Sequence, residues 1–192
     1  MRARFRSVAL VTLLSTAAAV TLSACDKVGE AVSQKASEKA TEKLIEAQIS
    51  KDGGNAKVDL SKGGATVEGT DENGKAFKME MGSAQVSEQD LGLPFYPGAK
   101  PIENKGTRIR NGDVQMASVE LASAAAPKQV AGWYREQLKG RGEGKMVIDQ
   151  AREDSGVSLS IVDSQHNDSV SVEVSADGDG SHISLMHSSG GK

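Results

Sequence analysis

What this chain lacks narrows its function more than what it holds. It has one cysteine, Cys25, and aromatic residues make up only 3% of its 192 positions. Beyond residue 25 no apolar run approaches the roughly 20 residues that a membrane-spanning helix needs. The patterns that cradle nucleotides, expose a nucleophilic serine, hold zinc or pair redox thiols are missing: there is no GxGxxG, GxxxxGK(S/T), GxSxG, HExxH or CxxC. Lysine and arginine number 23 against 26 acidic residues. That balance argues against nucleic acid as a partner and against a general attraction to anionic lipid. Scarce aromatics and 21 glycines imply aliphatic cores and frequent turns.

The N-terminus is where the chain becomes specific. Arg2, Arg4 and Arg6 precede an apolar run from Val8 to Val20, and no acid stands before Asp26. A positive start, a short apolar stretch and small residues behind it make the pattern of a signal peptide, and the run is too short to span a bilayer comfortably. It closes on Leu22-Ser23-Ala24-Cys25, which resembles the lipobox of bacterial lipoproteins. The resemblance implies that residues 1–24 are a signal peptide recognised through Leu22, Ser23 and Ala24. It implies also that the Cys25 thiol receives a diacylglyceryl group and that its freed amine takes a further acyl chain, such as palmitate. Two or three chains at about 0.8 kcal/mol per buried methylene give lasting attachment where one would not. A plain anchor or a soluble export would leave Cys25 as an exposed thiol in an oxidising compartment, which is a liability. With Cys25 lipidated, disulfides, thiol catalysis and sulfur metal sites are excluded together. Cleavage removes three arginines and no acid, which takes the net charge from −3 to −6. Asp26 resembles the residue that retains enteric lipoproteins in the inner membrane. The expected location is therefore the inner or outer membrane, periplasm-facing, with the inner favoured.

The expected fold class is α+β: signal peptide 1–24, lipidated cysteine and helical spacer 25–54, a small β-meander over 55–90, a hairpin–helix–meander module over 91–187 and a disordered tail 188–192. Residues 26–50 lack proline and are rich in Ala, Glu, Lys and Gln. Val28, Val32, Ala36, Ala40 and Leu44 fall four apart as a weak apolar stripe, while Lys35, Lys39 and Lys43 stand three before Glu38, Glu42 and Glu46. A helix of roughly 35 Å follows at about 1.5 Å per residue. It reads as a solvated spacer; the competing reading is a self-associating or membrane-lying helix. Asp52-Gly53-Gly54-Asn55 ends it as a flexible break. Ala56–Leu60, Ala65–Glu68 and Phe77–Met81 then alternate apolar and polar, with Asn73-Gly74 as a tight turn, so Phe77, Met79 and Met81 are expected to face inward. A copper(I) thioether reading of the two methionines lacks a third soft ligand.

In the second module, Pro97-Gly98 predicts a type II turn and Asn111-Gly112 a hairpin. Val114 and Met116 sit on one parity and Val119 and Leu121 on the other, which predicts a β-bulge near Ala117-Ser118. Pro127 opens a helix that Gly140 closes; Val130, Tyr134 and Leu138 repeat at four with Trp133 beside them. Gly132 inside it is expected to mark a close crossing. Strands are expected at Lys145–Ile148, Val157–Ile161, Val170–Val174 and Ile183–Leu185. The YPGA turn at Tyr96 to Ala99, the hairpin, the WYxxxL helix at Trp133 to Leu138 and the final meander resemble a recurring class of bacterial lipoproteins. That resemblance implies a fold and an envelope location, and it carries over no catalytic residue.

Four of the five aromatics beyond the signal peptide lie in Phe95-Tyr96 and Trp133-Tyr134. They read as a core anchor or, more sharply, as an aromatic ligand slot, so Phe95, Tyr96 and Trp133 are a candidate contact surface. The outer meander face (Ser158, Ser160, Ser171, Glu173) is another. His166 lies in a turn, and His182 and His187, five apart on a strand, point to opposite faces, so a shared metal site is not expected. Asp177-Gly178-Asp179-Gly180 lacks the remaining carboxylates of a calcium loop and reads as a hairpin turn. Arg135, Lys139 and Arg141 complement the C-terminal dipole of their helix or form an anion site. The function expected from all this is a non-enzymatic binding or interaction module. It is held at the membrane by its lipid, touches an envelope protein partner, and uses no cofactor or metal beyond the acyl chains on Cys25. The alternatives are a small-ligand or lipid carrier with an apolar groove lined by Met79, Met81, Phe95 and Trp133, and an enzyme with an unfamiliar site.

Overall fold

Ten strands hydrogen-bond into one antiparallel sheet in the computed structural model, which describes residues 27–61, 63–151 and 156–191. The strands are β1 (Asn55–Asp59), β2 (Ala65–Thr70), β3 (Ala76–Gly82), β4 (Lys100–Pro101), β5 (Gly106–Asn111), β6 (Val114–Ser123), β7 (Met146–Ala151), β8 (Val157–Asp163), β9 (Asp168–Asp177) and β10 (Gly180–Ser189). Three helices accompany them: α1 (Lys27–Lys51), α2 (Glu88–Leu91) and α3 (Pro127–Leu138). The strand order is β1-β2-β3-β5-β6-β10-β9-β8-β7, with the short β4 also pairing β6. Segments 55–90 and 91–187 meet in this sheet through the β3–β5 ladder. The signal peptide, Cys25 and Asp26 lie outside the described residues.

The main core forms where α2 and α3 cover the sheet. Val119, Leu185, Val172 and Leu159 stand in one row across β6, β10, β9 and β8, and Leu121, Ile183, Val174 and Val157 in the next. Against them pack Leu91 of α2, Leu93 and, from α3, Val130, Ala131, Tyr134 and Leu138. Alternation in β8 and β9 thus gives one dry and one wet face, as the sequence predicts. Pro127 is the first residue of α3, which lacks a side-chain cap. A Cβ built at Gly132 meets nothing within 4 Å, so nothing crosses closely where a side chain would stand, against the close crossing expected at this glycine.

The sheet reverses its polarity midway. On the helix-bearing face, the row that holds Ala117 in β6 continues into Arg108, Glu80, Thr66 and Asp59, and the neighbouring row holds Gln115, Arg110, Lys78, Glu68 and Lys57. On the far face, Met116 is followed by Ile109, Met79, Val67 and Val58. The apolar side chains of the first half therefore face away from α2 and α3, and those of the second half face toward them. This reversal explains the parity change in β6 without the bulge expected near Ala117-Ser118. The register is unbroken from Val114 to Ser118 against β5 and from Gln115 to Ser123 against β10. Val114 and Met116 serve one face, while Ala117, Val119 and Leu121 serve the other. Phe77 and Met79 are half-buried on the far face, but Met81 is 42% exposed, against the inward placement expected for it. The tail is corrected too: Ser188 and Ser189 continue β10, pairing Met116 and Gln115 on one side and Ser169 and Asp168 on the other.

Helix α1 docks by its acids. Ala36 and Ala40 of the weak stripe are exposed and Leu44 is 72% exposed; the half-buried positions are Glu38, Glu42, Glu46 and Ile49. β1 is an edge strand, and two amides on its open side, one within it and one just past its end, find no strand partner. Glu46 Oε1 accepts from Val58 N at 2.8 Å and Glu42 Oε1 from Leu60 N at 2.9 Å. The fit is geometric: four helical residues rise about 6 Å and two strand residues about 6.8 Å, so carboxylates at i and i+4 meet amides at i and i+2. An unpaired edge is a template for aggregation, and this comb of carboxylates covers it. Asp52-Gly53-Gly54 closes as a hydrogen-bonded turn, with Asp52 N and Gly54 N donating back to Gln48 O and Ile49 O.

Candidate functional site

The aromatic set is built around a phenol. Tyr134, on the buried side of α3, is fully enclosed, and its hydroxyl oxygen accepts a hydrogen bond from Tyr96 N at 3.1 Å. Burial pushes its ionisation above the ordinary tyrosine value. Trp133 meets Tyr134 edge-on at 4.8 Å and Tyr96 edge-on at 5.5 Å, geometries that favour aromatic pairs. The loop that carries Tyr96 is shaped by Ala99 N donating to Tyr96 O at 2.9 Å, with Gly98 at φ +81°, the positive angle a type II turn demands. Glu88 of α2 accepts from Phe95 N at 2.7 Å. Phe95, Tyr96 and Trp133 are partly buried against the core, so the set pins the loop to the helix and leaves a narrow aromatic rim. Met79 and Met81 lie on the opposite face of the sheet from Phe95 and Trp133, and the four do not line one groove.

The second expected surface is assembled as the alternation predicts. Ser158 stands across from Glu173 and Ser160 across from Ser171 on the far face. Asp177 and Gly180 pair around a tight hairpin turn.

The cations expected at the end of α3 are already engaged. Arg135 grips Asp149 with Nε at 2.7 Å and Nη2 at 2.8 Å, which raises the arginine and lowers the carboxyl relative to their ordinary values. Lys139 pairs with Glu136, and Arg141 donates to Gly92 O. The histidines are paired with acids as well. His166 Nδ1 lies 2.9 Å from Asp163, whose carboxyl is pulled down to about 2, first by that contact and further by His166 N and Lys145. His182 Nε2 lies 3.0 Å from Glu120 and lowers it. His182 and His187 take opposite faces, as expected, with side chains 33% and 24% exposed.

The strongest polar convergence involves residues that no local motif announces. Asp90 closes a capping box with Ser87, whose amide and hydroxyl donate at 2.8 and 2.7 Å, and it also receives Arg108 Nη2 at 2.7 Å. The Ser87 contacts first, then Arg108, pull its carboxyl down to about 2. Arg108 also donates to Gln85 O and pairs with Glu80, while its Nε is buried without an acceptor. His187 bridges Asp90 O and Asp168, at 2.9 Å each. These residues come from β3, α2 and the turn before it, β5, β9 and β10, so only the fold brings them together. No family model, curated protein or solved structure matches the chain, so its site is interpreted from geometry.

Proposed function

We propose that the chain is a lipid-anchored lipoprotein of the bacterial envelope whose domain is a non-enzymatic binding or interaction module facing the periplasm. The observation that carries this reading is Leu22-Ser23-Ala24-Cys25 behind three arginines and an apolar run. Helix α1 begins at Lys27, two residues past the cysteine, and reaches the sheet at β1 over 25 residues. At about 1.5 Å per residue a helix of that length spans roughly 40 Å, a reach that suits a domain held close to a lipid anchor. Among the described residues no helix is long and apolar enough to cross a membrane. The rim of Phe95, Tyr96 and Trp133 is the surface we assign to a protein partner, because a partly exposed aromatic on a rigid support is an economical anchor for one. Asp26 favours the inner membrane.

Metabolic labelling with palmitate tests the anchor. The wild-type chain should take up label and sediment with membranes, and Cys25→Ser should lose both. Continued membrane retention of an unlabelled Cys25→Ser chain would refute lipid anchoring through this residue.

A further inference from the structure

A cleft of about 270 Å³ opens between the sheet and α2. Its floor is the helix-bearing face of β5, β6 and β10, where Arg110, Gln115 and Ser189 form one row and Arg108, Ala117 and His187 the next. Ser87, Gln89 and Asp90 form its wall. The lining holds three basic residues and one acid, in a chain whose overall charge is −3.

Its donors and acceptors are unequally used. Three donors, two from Ser87 and one from Arg108, converge on Oδ2 of the Asp90 carboxylate. His187 Nδ1 faces a backbone carbonyl, which can only accept, so that nitrogen donates; Nε2 faces the Asp168 carboxylate. Glu80 and Asp168, which balance Arg108 and His187, stand outside the lining. Arg110 is exposed and makes no ion pair among the described residues, and Arg108 keeps a buried Nε hydrogen without an acceptor. The lining thus holds a planar guanidinium with no ion pair among the described residues, beside the amides of Gln89 and Gln115 and the hydroxyl of Ser189.

The geometry points to a binding site for a small oxyanion, a carboxylate or phosphate carried on a polar body, with Arg110 as its principal ligand. A guanidinium takes such groups through two parallel hydrogen bonds, while the amides and hydroxyl suit a polar body beside the anion. The site is independent of how the chain is anchored.

The test is an amide NMR titration of the full chain, kept unlipidated by Cys25→Ser, with inorganic phosphate and separately with citrate. Saturable shifts confined to residues 87–90, 108–110, 115–117 and 187–189 are expected, with at least tenfold weaker binding in Arg110→Gln. That variant removes an exposed, unpaired side chain and should keep the wild-type thermal midpoint, so loss of binding would not reflect unfolding. Absence of saturable shifts with either anion, or equal affinity in Arg110→Gln, overturns the proposal. The source of the anion is read from two further probes. Arg110-dependent sedimentation with phosphatidylglycerol vesicles assigns a lipid headgroup, and Arg110-dependent binding of glycerol 3-phosphate without vesicle binding assigns a free small molecule.

Discussion

Replacing Glu42 and Glu46 with alanine should release α1 from β1 while leaving the sheet folded. Each carboxylate takes one backbone amide, at 2.9 Å for Leu60 and 2.8 Å for Val58. A hydrogen bond to a charged group contributes about 1.5–3 kcal/mol net, and part-burial brings each of these toward about 1 kcal/mol. Losing both removes about 2 kcal/mol from docking, which at about 1.4 kcal/mol per factor of ten is a ~30-fold rise in the open population. Hydrogen exchange reads this directly. Val58 and Leu60 amides should exchange roughly 10- to 100-fold faster, while Leu121 and Ile183, at the centre of the sheet, keep their protection. The thermal midpoint should move little, because the helix packs chiefly on β1. The single variants should separate the two amides: Glu46→Ala exposes Val58, and Glu42→Ala exposes Leu60. Unchanged exchange at both amides in the double variant would refute the carboxylate comb, and loss of protection across the whole sheet would refute its local character.

Two further outcomes follow from the core. Gly132→Ala places a methyl group in open space inside a helix, so it should stabilise the protein by roughly 0.5–1 kcal/mol, read as a higher thermal midpoint; a lower midpoint would mean that the backbone there is not relaxed. Asp90 has a folded pKa of about 2 against an ordinary 3.8, so the stability it supplies is complete well above pH 3.8 and fades as pH falls from 3.8 toward 2. Asp90→Asn should then lie about 1–2 kcal/mol below wild type at pH 7, with the gap closing by pH 2 in denaturant titrations; a gap of constant size from pH 6 to pH 2 would contradict this origin.

Local chemistry made α3, the hairpins and the C-terminal meander legible, because each carries its own punctuation: Pro127 and Gly140, Asn111-Gly112, Asp177-Gly178-Asp179-Gly180. The reversal of the sheet was written in β6 as a change of parity, but a parity change has two solutions, a bulge or a strand that serves both faces. Only the ladders on either side choose between them. The end of β10 escaped because Ser188 and Ser189 offer no apolar signal; they are strand by virtue of neighbours on both sides. Glu38, Glu42 and Glu46 look like a solvated column, and nothing within the helix says that two edge amides will meet them. Helix α2 has a capping box with aspartate where glutamate or glutamine is usual, which weakens its signature. The cleft lies further still from local reading, since Asp90, Arg108 and His187 are distant in sequence and meet only through β6 and β10. The aromatic rim, in contrast, was legible as two dipeptides, and the fold joined them through one buried hydroxyl.

The placement of β10 has a consequence for how the chain acquires its shape. It lies between β6 and β9, and among the described residues it is the strand that links the five-strand run β1-β2-β3-β5-β6 to β9-β8-β7. β10 turns back on β9 in a tight hairpin, so its other margin must pair with β6 before the rows meant for the core, Val119 and Leu121 on one side and Leu185 and Ile183 on the other, can meet. Contacts of that sequence separation form late and at high entropic cost. The interval before that ladder closes is when the open strand margins are most exposed to pairing with another chain.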